Sequence, residues 1–186
     1  MKFTNIVLAL ALAGLPAAAQ EVHHDCTQMT GSNDAHAAMN KSGVSDEQRS
    51  QYLNGEGMGL AKAAELNHYP GPRHVLDIAE KLGLSPDQLA ATRALFEDVH
   101  TKAQALGKQI LAREDELGAL FCEQHADADK VRQLTAEIAN LQGQLRALHL
   151  TAHVHERGLL STEQVAKYDA LRTYVPGESP APLHHH

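Results

Sequence analysis

The chain has 186 residues, 23 of them acidic and 16 basic, for a formal net charge of −7. Because the lysines and arginines are scattered in an acidic chain, we do not expect a nucleic-acid partner. Trp is absent, and Ala, Leu, Gln, Glu, Lys and Arg dominate from Met58 onward. This composition predicts an all-α fold.

Residues 1–19 have the pattern of a secretory signal peptide. Lys2 supplies the charged start, Ile6 to Leu15 the apolar run, and Ala17-Ala18-Ala19 a small-residue cleavage site. The apolar run is too short to span a bilayer. We therefore expect cleavage before Gln20 and export to the periplasm, which is an oxidising compartment.

The mature chain divides into two tails and one domain. Residues 20–57 lack a sustained hydrophobic period and are predicted to form a flexible tail. This tail contains His23-His24-Asp25-Cys26 and His36, which can capture a metal ion weakly. Residues 58–175 are predicted to form the helical domain. Residues 176–186, which end in three histidines, are predicted to be disordered.

Short elements open the predicted domain. Residues 58–67 read as a short helix, and Tyr69-Pro70-Gly71-Pro72 must be a turn. Pro72 then fits the first position of a helix that runs through Lys81. Gly83 is suited to end this helix as a left-handed cap.

Two long amphipathic helices follow. An apolar stripe from Leu89 to Leu120 predicts one helix between Pro86 and about Glu123. A second stripe from Val131 to Leu148 predicts another, capped by Asp127 or Asp129 and ended by Gly158. The short connection near His125 makes them antiparallel, as a long helical hairpin with short flanking helices. Its stripes bury too little apolar surface to offset the ordering entropy, so we expect a homodimer.

One five-residue pattern occurs at both ends of the hairpin. Leu84-Ser85-Pro86-Asp87-Gln88 precedes the first long helix, and Leu160-Ser161-Thr162-Glu163-Gln164 precedes a last predicted helix. In each copy the serine can cap the following amides while the glutamine reaches back to the serine amide.

The duplicated pattern around a hairpin, after a signal peptide, resembles the Spy/CpxP/ZraP/CnrX superfamily over about residues 72–174. The resemblance implies a cradle-shaped homodimer in the periplasm that acts in envelope stress or heavy-metal resistance. Some members are ATP-independent chaperones of unfolded envelope proteins, and others bind zinc, nickel, cobalt or copper. Implied partners are therefore unfolded envelope proteins or a membrane sensor.

The nickel- and cobalt-sensing branch carries His-x-x-x-His before its first motif and His-x-x-x-Met before its second. Here His74 and Ile78 occupy the first place, and no Met lies near the second. That site cannot be transferred residue by residue. Zinc or copper is accordingly favoured over nickel or cobalt.

Histidines near the predicted hairpin mouth are the leading metal candidates. His149 and His153 are four residues apart on a helix, so both imidazoles can bind one divalent ion. Folding the hairpin near residue 125 places His100 opposite His149, and His155 is the next candidate. Glu97 or Glu156 can add an oxygen ligand. The alternative is that these histidines are solvated surface residues.

Cys122 and His125 form a second candidate site as Cys-x-x-His at the hairpin turn, a spacing that suits zinc or copper. Two ligands do not close a site, so a partner chain or Cys26 would have to contribute. In an oxidising compartment the two cysteines can also pair with each other or join two chains. The spacing does not decide between these states.

The sequence contains no Gly-rich phosphate loop, nucleophile elbow or His-Glu-x-x-His signature. We therefore expect a non-enzymatic protein. The leading prediction is a periplasmic protein that binds a heavy metal as a sensor or buffer. The alternative is an ATP-independent chaperone for unfolded envelope proteins.

Overall fold

The computed structural model describes residues 42–172, which form seven helices and no β-strand. The two longest are α5 (Pro86–Cys122) and α6 (Ala128–Leu159), which pack against each other as an antiparallel hairpin. The predicted all-α fold and hairpin are confirmed. Asp127 caps α6 as predicted, since its side chain accepts from the amides of Asp129 and Lys130, both at 3.0 Å.

Five short helices flank the hairpin. They are α1 (Asp46–Leu53), α2 (Lys62–Glu65), α3 (Pro72–Asp77), α4 (Ala79–Leu82) and α7 (Thr162–Leu171). The helix predicted from Pro72 is divided at Ile78, whose backbone leaves the helical region at φ −124° and ψ 22°. Gly83 ends α4 in the left-handed conformation, as the sequence predicts.

The serine–glutamine pattern forms a capping box at both predicted places. The Ser85 hydroxyl accepts from the Gln88 amide at 3.1 Å, and the Ser161 hydroxyl accepts from the Gln164 amide at 3.2 Å. Each glutamine side chain accepts the serine amide in return, at 3.0 Å and 2.9 Å. Helices α5 and α7 therefore begin where local chemistry satisfies their first amides.

Two apolar clusters hold the domain. One lies inside the hairpin, where Ala103, Ile110 and Leu145 are buried and Tyr52, Met58 and Leu60 pack on them. The other lies at the end of the hairpin where α5 begins and α6 ends. Its buried members come from α3, α4, α7 and the chain just before α7: Val75, Leu82, Leu160, Val165 and Tyr168.

The register of the hairpin follows from a buried side-chain contact between its helices. The Thr92 hydroxyl of α5 donates to Glu156 Oε1 of α6 at 2.9 Å. Because the helices are antiparallel, seven residues in each direction bring Val99 level with His149. This region, between the two apolar clusters, contains the candidate site.

The amino-terminal boundary differs from the expectation. The sequence predicts a flexible tail over residues 20–57, but within them residues 46–53 form α1. A capping box of Ser45 and Gln48 starts this helix. The helix predicted over 58–67 is also shorter, since only residues 62–65 are helical and Met58 and His68 adopt positive φ.

The signal peptide, the histidines and Cys26 of the first tail, and the carboxy-terminal tail lie outside the described residues. The predicted homodimer is not tested by a single chain and stays a prediction. No helix within residues 42–172 combines the length and apolar character that crossing a membrane requires.

Candidate metal centre

Three ionisable side chains share one face of α6 near its end. His149, His153 and Glu156 are spaced by four and three residues, which places them along a single stripe of the helix. His153 is 6% exposed and Glu156 is fully buried, while His149 is half-buried. Buried polar groups are destabilising unless they are hydrogen-bonded, so the partners of each side chain indicate its role.

His153 is held by the turn between α2 and α3. Its Nδ1 lies 2.8 Å from the carbonyl oxygen of Tyr69, which can only accept, so Nδ1 carries the proton. A β-carbon added at Gly71 would lie 2.7 Å from His153 Cε1. The imidazole therefore packs directly on the backbone at Gly71, where a larger residue would collide with the ring. Because Nδ1 carries the proton, Nε2 has the free lone pair.

His149 has the opposite arrangement, because its Nε2 is buried without a hydrogen-bond partner. Burial lowers the pKa of His149 below its usual value, and the nearby His153 lowers it further. The ring is therefore neutral at physiological pH and offers a lone pair. Gly57 lies beside the opposite edge of the ring, since a β-carbon there would be 4.0 Å from Cε1 and Nδ1.

His74 on α3 belongs to the same neighbourhood. Burial is the main cause that lowers its pKa, followed by the positive charge of Arg172, and His153 also contributes. Two carboxylates act in the opposite direction, Glu65 at 4.0 Å and Asp77 at 3.8 Å from its ring nitrogens. His74 is thus a second largely neutral imidazole close enough to His153 to sense its charge.

Glu156 is the most unusual group of the site. Its Oε1 accepts from Thr92, but its Oε2 is buried with no hydrogen-bond partner. Burial raises the pKa of Glu156 to about 7, and the Thr92 hydrogen bond opposes this shift only in part. At neutral pH the carboxyl group therefore exchanges between its protonated and ionised forms.

These side chains do not form a complete cation site in the described conformation. Within residues 42–172, no three His, Cys, Asp or Glu side chains lie close enough together to hold a metal ion. The arrangement instead supplies a pair of imidazoles, one oriented by a backbone carbonyl and one with an unsatisfied nitrogen. Such a pair can bind a borderline divalent ion if further ligands are added.

A comparison with protein families gives a match to the heavy-metal-resistance family over residues 61–167, which is more than half of the chain. The chain belongs to the heavy-metal-resistance family. The resemblance to Spy/CpxP/ZraP/CnrX-type proteins is thereby confirmed. No curated protein and no solved structure matches the chain.

Within this heavy-metal-resistance chain, the structure brings only some of the predicted ligands together. His149 and His153 share the buried face, whereas His155 is exposed on α6. His100 lies near the same level of the hairpin, but its ring stacks on Phe96 with centroids 5.5 Å apart. Both His100, through its carbonyl oxygen, and His149, through its ring, lie against the loop of residues 55–57.

The second predicted site lies at the other end of the hairpin. The His125 side chain is 72% exposed, and its Nδ1 is 3.6 Å from Glu123 Oε2. Cys122 is disulfide-bonded, so in this oxidation state its sulfur is not a thiolate ligand. Metal binding by Cys122 and His125 would require reduction and stays a prediction.

Sequence reasoning does not select His74 as a ligand, although this residue lies just before the first motif. The packing of α3 on α5 and α6, which brings His74 near His153, has no local sequence signal. Glu156 is predicted only as an alternative oxygen donor beside Glu97, which is exposed. The spacing of His149, His153 and Glu156 on one helix face is the signal that identifies Glu156.

Proposed function

We propose that this heavy-metal-resistance protein binds zinc or copper in the periplasm through His149 and His153. The observation that carries the proposal is the buried, unpartnered Nε2 of His149, one helical turn from His153. An unsatisfied buried nitrogen is costly unless it binds something, and a metal ion is a suitable partner for a neutral imidazole.

The surroundings of His153 support this role. In metal-binding histidines the ring nitrogen that does not bind the metal commonly donates its N–H to a carbonyl or carboxylate. This hydrogen bond fixes the tautomer and the ring orientation. The contact from His153 Nδ1 to the Tyr69 carbonyl has this form and leaves Nε2 for the ion. The ion is cargo or signal, and it would bind to α6 beside the turn that precedes α3.

Further ligands are expected from His74 or from water. His74 is near enough to influence His153 electrostatically, and its ring is held only by contacts of 3.8–4.0 Å to carboxylates. A side-chain rotation would release it from these contacts at low cost. The buried Glu156 is paired with Thr92 and is a weaker candidate, because it is largely protonated below pH 7.

Calorimetric titration of the mature protein with zinc, copper, nickel and cobalt tests the proposal. His184–His186 should be removed from every variant, since they can bind ions themselves. The double replacement His149→Ala and His153→Ala is expected to weaken zinc or copper binding by a factor of 100 or more. His155→Ala, on the same helix but exposed, is the matched control and should bind as the parent does. Unchanged affinity in the double variant would overturn the proposal.

A groove on the hairpin favours chaperone action as a second candidate function. It has a volume of about 450 Å³ and lies between α5 and α6, with Leu106 and Leu148 in its lining and Lys102 beside them. Lys102 forms an ion pair with Asp98 at 2.7 Å, so the groove is apolar with a charged edge, which suits transient contact with unfolded chains. Clients would be unfolded envelope proteins, as the resemblance to the Spy branch implies.

The two functions can be separated by removing metal. Suppression of aggregation of a reduced client protein should persist with a chelator present if the groove acts alone. Leu148→Glu should abolish it, whereas Val154→Glu, an exposed apolar position of the same helix, should not. Equal effects of the two replacements would reject the groove as the client site.

We also propose that the protein is a non-enzymatic homodimer that communicates with a membrane sensor. The support is the modest core of a single hairpin and the family resemblance. Sedimentation equilibrium at micromolar concentration tests the dimer, and a monomer over that range would reject it.

A further inference from the structure

A segment that precedes the family's matched region crosses the hairpin. This strap, residues 46–60, comprises α1 and the loop after it, while the match begins at residue 61. At its start, Arg49 forms a two-pronged ion pair with Asp115 of α5, at 2.5 Å and 3.2 Å. The strap therefore lies outside the matched region but is tied to the first long helix of the hairpin.

The middle of the strap is fitted to the backbone of α5. A β-carbon at Gly107 would lie 2.8 Å from the carbonyl carbon of Tyr52, too close for any other residue. Further along, a β-carbon at Gly55 would lie 3.0 Å from the His100 carbonyl oxygen. The glycine at 107 therefore allows the strap to approach α5, and the strap follows α5 toward the level of His149.

The end of the strap covers His149. Gly57 lies against its ring, and Met58 and Leu60 pack on the hairpin cluster that contains Leu145. The strap thus lies on the Cε1–Nδ1 edge of a ring whose Nε2 is buried. An ion that approaches His149 from this side meets the strap first.

The attachment of the strap is weak compared with the packing of the hairpin. Helix α1 has no buried residue, and Tyr52, Met58 and Leu60 are only partly buried. The Arg49–Asp115 pair is exposed at its acidic partner, where solvent screens it. Segments with few buried contacts open without global unfolding.

We propose that the strap gates His149, so that its release from α5 opens the imidazole to metal ions. The statement that a metal ion enters depends on the proposed function, whereas the contact of the strap with His149 does not. The strap would slow both the entry and the loss of an ion, because each requires the same local opening.

The test uses Gly107→Ala in the full mature chain, with Gly143→Ala as control. The added methyl at 107 meets the Tyr52 backbone, whereas at 143 it meets open space. Both changes replace a helical glycine by alanine and so raise helix propensity equally. The metal-free readout is the rate at which diethyl pyrocarbonate modifies His149, measured by peptide mass spectrometry, with exposed His155 as internal reference.

We expect His149 to react at least about tenfold faster in Gly107→Ala, with faster hydrogen exchange over residues 46–60, and no change in Gly143→Ala. Fast exchange of the strap with an unchanged rate at His149 would overturn the proposal. So would a protected strap with an accelerated His149.

A second variant covers the case in which Gly107→Ala fails to fold. Arg49→Glu places like charges opposite each other at Asp115, about 24 Å along α5 from the level of His149. Solvent screens a charge over this distance, so acceleration at His149 is expected from release of the strap, by a factor of about three or more. No acceleration, with α1 released, contradicts gating.

The metal arm separates the two proposals. If zinc binds, its association rate should rise with the modification rate across the variants. If His149 becomes reactive but zinc does not bind, the gating inference stands and the metal function fails. If zinc binds at one rate in all variants, gating fails and the metal function stands.

Discussion

Gln88 and Gln164, 76 residues apart, hydrogen-bond to each other through their side-chain amides. Nε2 of Gln88 donates to Oε1 of Gln164 at 2.8 Å, and Nε2 of Gln164 donates to Oε1 of Gln88 at 3.0 Å. Nε2 of Gln88 also donates to the backbone carbonyl of Leu159 at 2.8 Å. The two copies of the family pattern thus meet in space and join the start of α5 to the start of α7.

Replacement of Gln88 by alanine should destabilise the protein by about 2–4 kcal/mol. It removes one half of a capping box and the hydrogen bonds to Gln164 and Leu159, at about 0.5–1.5 kcal/mol each. Urea unfolding measures the loss. Gln48→Ala is the matched control, because Gln48 completes the same box at Ser45 and should cost below about 1 kcal/mol.

The double variant of Gln88 and Gln164 distinguishes a joint role from two separate caps. If the amides act together, its cost should be clearly smaller than the sum of the two single costs, as expected for residues in one network. Strict additivity would show that each glutamine only caps its own helix.

Much of this arrangement could be predicted from local chemistry. The boxes at Ser85 and Ser161, the cap at Asp127 and the left-handed Gly83 mark helix ends through contacts within a few residues. The apolar period then indicates which faces pack. These signals are local, so they are readable without knowledge of the fold.

The remaining features depend on contacts between distant residues. Helix α1 has almost no apolar stripe, and it lies on α5 through Arg49–Asp115 and the close approach at Gly107. The burial of Glu156 depends on which residue of α5 lies opposite it. His74 lies beside the site because α3 packs on α5 and α6. None of these contacts has a sequence-local cause, although the Ser45–Gln48 box that starts α1 is itself a local signal.

The protein should lose stability as the pH rises through the range that ionises Glu156. In the unfolded chain this carboxyl group has the ordinary glutamate pKa of 4.5, whereas in the folded protein burial raises its pKa to about 7. Between these values the folded state holds the extra proton, so stability falls with increasing pH. The full difference is about 3 kcal/mol. Below about pH 4.5 both states are protonated and the stability is retained.

Glu156→Gln removes this titration while keeping an acceptor for Thr92. The variant should be more stable than the parent at pH 8, by up to about 3 kcal/mol, and the advantage should shrink toward pH 5. Urea midpoints across this range measure it. A constant difference over pH 5–8 would mean that Glu156 is ionised throughout. Glu97→Gln, at an exposed position of α5, should show no such dependence.

The buried histidines give the opposite pH dependence. Burial lowers the pKa of His149 and of His74 below 6.5 in the folded state. As the pH falls below 6.5 the unfolded chain takes up protons first, so stability decreases with acidification until the folded rings also protonate. In the Glu156→Gln background this acid loss should be visible just below pH 6.5, above the range in which carboxylates such as Asp115 titrate, and His149→Gln should reduce it. The exposed His155 provides the control variant, His155→Gln, for this dependence of the unfolding free energy on pH. If His149→Gln shows the same pH dependence as its parent, then His149 is not a buried neutral ring.

Gly71→Ala should displace the His153 ring without straining the backbone. Gly71 has φ −90° and ψ 144°, which alanine adopts readily, but the new methyl would lie 2.7 Å from His153 Cε1. We expect a loss of about 1–3 kcal/mol in stability from overpacking and at least a tenfold loss in zinc or copper affinity. Gly158→Ala, on α6 with open space around it, controls for the glycine replacement and should be neutral or slightly stabilising. If Gly71→Ala keeps both the urea midpoint and the metal affinity, then the ring moves freely and its contact with the Tyr69 carbonyl does not position it for binding.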